Sequence, residues 1–311
     1  MDLHLVFLGT AGATPTVDRG SPAVLLIRGG ERILIDCGEG TQRQLMRSVG
    51  LAKIGMILLT HLHGDHYLGL PGLLKTLSLL GREEPLLLFG PEGLYEVLRE
   101  TERIVGRPRF PFLVEEARPG LVLETADYRL VTAPTDHGLP GLAWCIQEKP
   151  RAGLFHPEWA AGLGVAPGPD FGRLQRGETI VTAEEREVRP EEVMESSRKG
   201  RTIVVTGDTR PAPAVIELAR GASVLVHDST FGDSERERAL ETGHSTAREA
   251  AEVACDAEVG TLVLTHLSSR HHWRELRDEA RALFPGALLP RDLDTLVVPF
   301  PEKGGARLER V

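Results

Sequence analysis

Three apolar runs in this chain end the same way, and that shared ending constrains the fold more than any other feature. "GMILLTH" (55–61), "TIVVTGD" (202–208) and "TLVLTH" (261–266) are each β-branched or leucine-rich, short, and closed by a residue able to bind a metal or move a proton. A buried strand that delivers a polar side chain at its carboxyl end is how open α/β sheets build sites. Further short runs recur at 4–9, 23–27, 32–36, 85–90, 128–133, 142–147 and 223–229. Helical periodicity fills gaps between them, at Thr41–Val49, Asp65–Leu80, Gly93–Thr101, Ala214–Arg220, Thr246–Cys255 and Trp273–Phe284. Strands interleaved with helices predict an α/β architecture whose sheet faces are covered by helices. Pro211 and Pro213 mark a helix start, and Ser245 is the expected N-cap of the helix after it.

Within this pattern the stretch Lys149–Glu187 stands apart, because periodicity fades while Pro, Gly and charge rise. Strand patterns on both sides of it look alike, so it is expected to be an insertion into one domain. A helical pattern at Pro157–Leu163 suggests partial order, with "GLGVAPGPDFGRL" as its glycine- and proline-rich tip. A plain disordered insertion is the competing reading.

The densest chemistry is in "LLTHLHGDHYLG", where His61, His63, Asp65 and His66 fall within six positions at a strand end. Imidazole and carboxylate donors suit zinc, with manganese, iron or cobalt also compatible. Gly64 is expected to let the backbone turn there. His137, Asp208 and His266 follow other apolar strands and add ligands of the same kind. The three cysteines, Cys37, Cys145 and Cys255, form no C-x-x-C pair and are read as free thiols. The amino terminus lacks the basic region of a signal peptide, and the apolar window Leu68–Gly81 is too short to span a bilayer. A soluble, cytoplasmic protein is expected. A formal net charge of −9 excludes a protein that coats nucleic acid non-specifically, and no DNA partner is expected.

The H-x-H-x-D-H motif, His61 to His66, resembles that of the metallo-β-lactamase superfamily. "FLGTAGATPT", "DCGEGTQRQL", "THLHGDHYLGLPGLL", "GLGVAPGPDFGRLQRGE", "TGDTRP", "GHSTAREAAEVA" and "LTHLSSR" are similar, in order, to blocks of its tRNA 3′-processing endonucleases, the short RNase Z family. The resemblance runs from Leu5 to about Arg270. It implies an αβ/βα sandwich over 1–311, with an extruded flexible arm at 151–181 serving as a tRNA-binding exosite. It also implies a zinc-dependent cut that frees the 3′ trailer of precursor tRNA. His61, His63 and His137 would hold one zinc, Asp65, His66 and His266 the other, and Asp208 would bridge them. Asp65 would act as base and His244 as proton donor oriented by Asp228, although the family has Glu-Ala where this chain has Asp228-Ser229.

Arg151, Arg173 and Arg176 in the arm, and Arg19 in the Gly9–Pro22 loop, are the candidate RNA contacts. The family's P-x-K-x-R-N loop, linked to the CCA end, reads here Pro15-Thr16-Val17-Asp18-Arg19-Gly20, without the Lys and Asn. A homodimer sharing arm and site between subunits is the family arrangement. His227 is read as a structural neighbour of the site. His4 and His156 fall outside it, and His271-His272 is a possible contact to RNA phosphate. Two alternatives remain: another phosphodiesterase or exoribonuclease of this fold, and a non-catalytic RNA-binding module with structural zinc.

Overall fold

The computed structural model describes residues 2–51 and 53–310. Among these residues, sixteen strands run in chain order as β1 (Leu3–Gly9), β2 (Ala23–Arg28), β3 (Glu31–Ile35), β4 (Ile54–Leu58), β5 (Leu86–Gly90), β6 (Phe112–Glu116), β7 (Gly120–Glu124), β8 (Tyr128–Pro134), β9 (Leu142–Glu148), β10 (Ile180–Val181), β11 (Glu187–Val188), β12 (Thr202–Val205), β13 (Val224–Asp228), β14 (Leu262–Thr265), β15 (Thr295–Val297) and β16 (Arg307–Glu309). Contacts divide the chain into two compact units, one of residues 1–147 with 201–311, the other Glu148–Gly200.

In the first unit, one sheet has the order β16-β15-β1-β2-β3-β4-β5-β6 and the other β14-β13-β12-β9-β8-β7. Strand alternation assigns each side chain to a layer. In β12, Ile203 and Val205 enter the cluster between the sheets, which also holds Phe7, Ile35, Leu58 and Trp144, while Val204 faces the other way. Val204, Leu225 and Leu264 pack beneath alanines of the helix Ala247–Asp256 and beneath Leu276 of the helix Trp273–Leu283. On the other flank, Leu25, Leu34 and Ile57 meet Leu70, Leu73 and Leu77 of the helix Gly69–Leu79. The layers are therefore helix, sheet, sheet, helix: helices cover the outer sheet faces, as strand–helix alternation predicts, and the pairing of two sheets is the αβ/βα sandwich that the resemblance implies. Fully buried Trp144 ties the two sheets by donating its indole N–H to Leu59 O at 3.0 Å.

Some local expectations change. The Asp65–Leu80 pattern divides into helices Gly64–Tyr67 and Gly69–Leu79, so Gly64 opens a helix without needing a left-handed turn. Thr246, not Ser245, caps the helix Ala247–Asp256: its hydroxyl accepts from the Glu249 amide while the Glu249 carboxylate takes the Thr246 N–H. The Ser245 hydroxyl instead donates to Thr209 O at 2.7 Å. Edge strands β6, β7 and β16, and β15 beside β16, lie outside the runs read as strands, because most of their side chains are exposed or half-buried and carry little apolar pattern.

The second unit has its own small core of Ala160, Val165, Leu174, Ile180, Val188 and Val193. Helices Pro157–Gly162 and Pro169–Gln175 and the β10–β11 hairpin supply it. The stretch expected to be a glycine-rich tip thus contains a helical turn begun by Pro169, whose fixed φ suits the first helical position. Arg151 and Arg198 pair through their backbones, N to O at 2.8 and 2.9 Å, so the ends of this unit lie side by side. Among the described residues, no helix is long and apolar enough to cross a membrane.

Candidate metal centre

The carboxyl ends of β4, β12 and β14, with the loop after β8, bring seven predicted side chains together around Asp208. His61 Nε2 lies 3.5 Å and His137 Nε2 3.7 Å from Asp208 Oδ2. His66 Nε2 and His266 Nε2 each lie 3.3 Å from Asp208 Oδ1. His63 Nδ1 faces His137 Nε2 at 3.1 Å, and Asp65 Oδ2 is 3.4 Å from His266 Nε2 and 3.6 Å from His66 Nε2. Two donor groups result: His61, His63, His137 and Asp208, and Asp65, His66 and His266 beside the other oxygen of Asp208.

What aims these groups is a set of side chains behind them. The His66 Nδ1–H donates to Asp36 at 2.7 Å, which points Nε2 inward. Asp36 also accepts from the Thr60 amide and hydroxyl, leaving Thr60 Oγ1 to accept from His61 Nδ1 at 3.1 Å. His137 Nδ1 donates to Gly243 O at 2.7 Å. Gly243 has φ +81°, and a Cβ there would stand 2.8 Å from His137 Nδ1, so this position needs glycine twice over. Thr230 gives its hydroxyl proton to Asp228 Oδ1 at 2.6 Å and accepts from His266 Nδ1 at 2.8 Å. Asp36 and His266 both adopt left-handed backbone, φ 58° and 60°, a cost found where the surroundings fix a functional side chain. Thr60 and Thr230 are absent from the residues read as functional in the sequence, and Asp36 enters only as the start of the block "DCGEGTQRQL", a segment expected to line the site floor. The available signal was Asp36 closing the run "RILID" and Thr60 preceding His61 in "LLTH".

The donor set also passes a chemical test for metal. His61 Nε2, His66 Nε2 and Asp208 Oδ1 are buried without a hydrogen-bond partner among the described residues. Burying such atoms unpartnered is costly, and a divalent cation is the ligand that satisfies nitrogen lone pairs and carboxylate oxygen together. Electrostatics agree. Burial drives the His61 imidazole well below its usual range, keeping its lone pair free. For Asp208, burial opposes ionisation, yet His266, His66 and His61 hold the carboxyl well below its ordinary value. Asp65 is likewise held at about 2 against the cost of burial, by its hydrogen bond from His266 and the charge of His66.

Asp228 and His244 also lie near Asp208 and His266. Both Asp228 oxygens are already used: Oδ1 by the Thr230 amide and hydroxyl, Oδ2 by the Thr209 amide and by His244 Nδ1–H at 2.9 Å. Its place is therefore behind His244 and not on an ion. The shorter aspartate suffices for this contact. Burial lowers the His244 imidazole, but Asp228 outweighs it and lifts the group to about 9.

Other predicted residues are used differently. The Arg19 guanidinium bonds Thr10 Oγ1 and Pro290 O, the latter at 3.0 Å, which ties the Gly9–Pro22 loop in place. That loop reaches the cluster through the Ala13 amide, which donates to Asp65 Oδ2 at 3.1 Å. In the second unit, Arg173 pairs with Asp170 and Glu178, Arg176 with Glu178, and Arg151 with Lys199 O at 3.4 Å. His156 is held between Glu158 and Glu195, and His227 is buried with Nδ1 on Asp228 O at 2.8 Å. His4 lies in β1, and His271 bonds Glu235 at 2.8 Å.

Comparison with known proteins places this geometry. Residues 17–149 match the metallo-beta-lactamase superfamily, and residues 193–267 match the beta-lactamase superfamily domain. Ribonuclease Z of Gemmatimonas aurantiaca is 46% identical over 297 residues, covering 94% of this chain and 95% of that protein. Ribonuclease Z of Methanothermobacter thermautotrophicus is 45% identical, covering 95% of this chain and 97% of its own length. Among solved structures, human tRNase Z, short form, superposes with a TM-score of 0.71 at 27% identity, over 96% of this chain and all of that one.

Proposed function

The chain belongs to the ribonuclease Z family of the metallo-β-lactamase superfamily, and from that premise we propose that it removes the 3′ trailer of precursor tRNA. It is a metal-dependent phosphodiester hydrolase of the tRNA 3′-processing class. The cut falls on the 3′ side of the acceptor stem, leaving a 3′-hydroxyl on the tRNA and a 5′-phosphate on the trailer. The observation that carries this reading is the convergence of four imidazoles on the two oxygens of Asp208, with His63 and Asp65 against those imidazoles and the Asp228–His244 pair beside them.

His61, His63, His137 and Asp208 would hold one divalent ion, and Asp65, His66, His266 and Asp208 a second. Nitrogen-rich donors with carboxylates favour zinc, with manganese also accommodated. Bound there, the ions would polarise the scissile phosphate and raise the acidity of water. Asp65, anchored by the Ala13 amide, stays ionised at neutral pH and accepts a hydrogen from the attacking water. His244, with Nδ1 committed to Asp228, keeps a proton on Nε2 at neutral pH and gives it to the departing ribose 3′-oxygen. Asp228 stabilises the charged imidazole and sets its orientation. Asp36 and Thr230 hold His66 and His266 in the rotamers that face the ions.

The Glu148–Gly200 unit would supply the grip on the body of the tRNA, with Arg151, Arg173 and Arg176 near its phosphates. The working form is a homodimer in which this unit of one subunit serves the site of its partner. Family resemblance supports both points, as it supports action in the cytoplasm. The decisive experiment cleaves one tRNA transcript carrying a trailer, with and without an encoded CCA, maps the ends at nucleotide resolution, and measures bound metal. A single cut after the acceptor stem, abolished by chelator and restored by zinc, is expected. Stepwise shortening from the 3′ end, or cleavage indifferent to chelator, would overturn the reading.

A further inference from the structure

A cavity of about 600 Å³ opens beside the metal-centre residues, walled by Leu267, Ser268, His272 and Trp273 on one side and by Thr16 and Arg291 on the other. Its wall is continuous with the catalytic cluster. Leu267 follows the ligand candidate His266 and exchanges backbone hydrogen bonds with the loop that bears on Asp65, at 3.0 Å to Thr10 O and 2.9 Å from the Gly12 amide.

The indole of Trp273 gathers three guanidiniums, Arg274 at 5.1 Å, Arg277 at 5.2 Å and Arg291 at 5.7 Å from its ring centre. His272 stacks on it from the neighbouring position, 27° from parallel. Arg277 is paired with Asp278 at 2.7 Å, whereas Arg274 and Arg291 make no carboxylate pair among the described residues and are exposed. Of the acids lining the cavity, Asp292 is consumed by the Thr10 hydroxyl, the Gly20 amide and Gln44, leaving Asp18 alone on the rim. In a chain of net charge −9, two unpaired guanidiniums held on an aromatic platform are a directed feature.

We infer that this cavity binds the unpaired 3′ strand of the RNA substrate next to the cut, with phosphates on Arg291 in its wall and on Arg274 over the Trp273 ring, and a base against the Trp273–His272 stack. Aromatic faces take bases of any sequence, and guanidiniums take the backbone. The volume suits a nucleotide-sized ligand and excludes a duplex, which is read by shape across its wide minor groove. The inference rests on the chain cutting precursor tRNA.

The test measures KM and its salt dependence for a precursor tRNA with an eight-nucleotide unpaired trailer. A second precursor has its trailer folded into a hairpin directly after the cut, and bis-p-nitrophenyl phosphate turnover checks the metal centre. Arg274→Ala combined with Arg291→Ala should raise KM on the unpaired trailer about ten-fold, and flatten the log–log salt slope by about 1.4, roughly 0.7 per phosphate contact on a single strand. Trp273→Ala should do much the same, and Trp273→Phe, which keeps a platform, should stay within about three-fold of the parent. An unchanged KM and slope, an equal loss on the hairpin precursor, or a parallel loss on the small diester would overturn the inference. If the parent protein leaves both precursors intact, the proposed function fails instead, so the two failures are separable.

Discussion

The metal-centre residues and the Glu148–Gly200 unit carry charge in opposite ways. Around Asp208, four of the histidines (His61, His66, His137 and His266) are buried with it, His63 and Asp65 reach toward solvent, and each buried imidazole commits its other nitrogen to a neighbour: Thr60, Asp36, Gly243 or Thr230. In the second unit, Arg173 and Arg176 pair with Asp170 and Glu178 at side-chain exposures of 45–65%. Exposed pairs of this kind contribute little to stability and exchange partners readily, whereas the buried set has one arrangement that satisfies it. Fixed geometry is what bond cleavage needs, and replaceable ion pairs are what a grip on phosphate needs. The two units therefore answer different tests.

The sharpest break comes from Asp208→Ala. It removes the one carboxylate both donor groups share, so bound metal should vanish by elemental analysis, with turnover of precursor tRNA and of bis-p-nitrophenyl phosphate falling at least ~10³-fold together. Retention of either activity would dissolve the assigned centre. Replacing Ala152–Ser197 by a short Gly-Ser linker should separate the two activities. The backbone pairing of Arg151 with Arg198 shows that the ends can be joined. Precursor tRNA cleavage should drop ~10²-fold or more through KM, with small-diester turnover kept. If tRNA cleavage survived, the unit would have no part in substrate binding.

A third test lies within the centre. His244 is expected to act only when protonated, and its proton is held to about 9 by Asp228. Cleavage of tRNA should therefore persist through neutral pH and decline as pH rises through about 9. Asp228→Asn withdraws the charge that raises the group, so the decline should move toward the ordinary histidine value of about 6.5. At neutral pH the rate on tRNA should fall ~10²-fold. Hydrolysis of bis-p-nitrophenyl phosphate, whose leaving group needs no proton, should change far less. Equal effects on both substrates would assign Asp228 to the metal set.

The strand-end ligands were legible because two rules act together there: apolar runs predict where strands end, and His and Asp are rare at such buried ends unless used. His137, Asp208 and His266 come from segments far apart in sequence; their common placement after apolar strands raised them together, and the family resemblance supplied which of them would share an ion. Asp36 and Thr230 were not legible as functional, since each is an ordinary polar residue locally and acquires its role from a histidine 30 or 36 positions away. Arg19 shows the reverse. An arginine in a glycine-rich loop reads as a phosphate contact, yet its guanidinium is committed to Thr10 and Pro290, which a one-dimensional pattern does not display. The helix Pro169–Gln175 was hidden by glycines and prolines whose positions, at a helix start and inside a short amphipathic turn, matter more than their number.

The smallest expected effect concerns Arg173 and Arg176. Both already pair with Glu178, and Arg173 also with Asp170, so a phosphate must displace carboxylates before it gains the guanidiniums. The net gain per contact is the difference between two charge-assisted interactions, each partly screened at physiological salt. Arg173→Ala with Arg176→Ala should accordingly weaken precursor tRNA binding by only ~2–5-fold at moderate salt, with the salt slope flattened by less than the ~0.9 per site of an unpaired cation. Glu178→Gln sharpens the point. It frees Arg176 and leaves Arg173 with Asp170 alone, without removing either arginine, and should tighten tRNA binding measured by filter retention. If Glu178→Gln binds no better while the double arginine variant binds far worse, these arginines hold the unit together instead of holding RNA, and the contrast between a rigid centre and a replaceable grip would move to other cations of this unit.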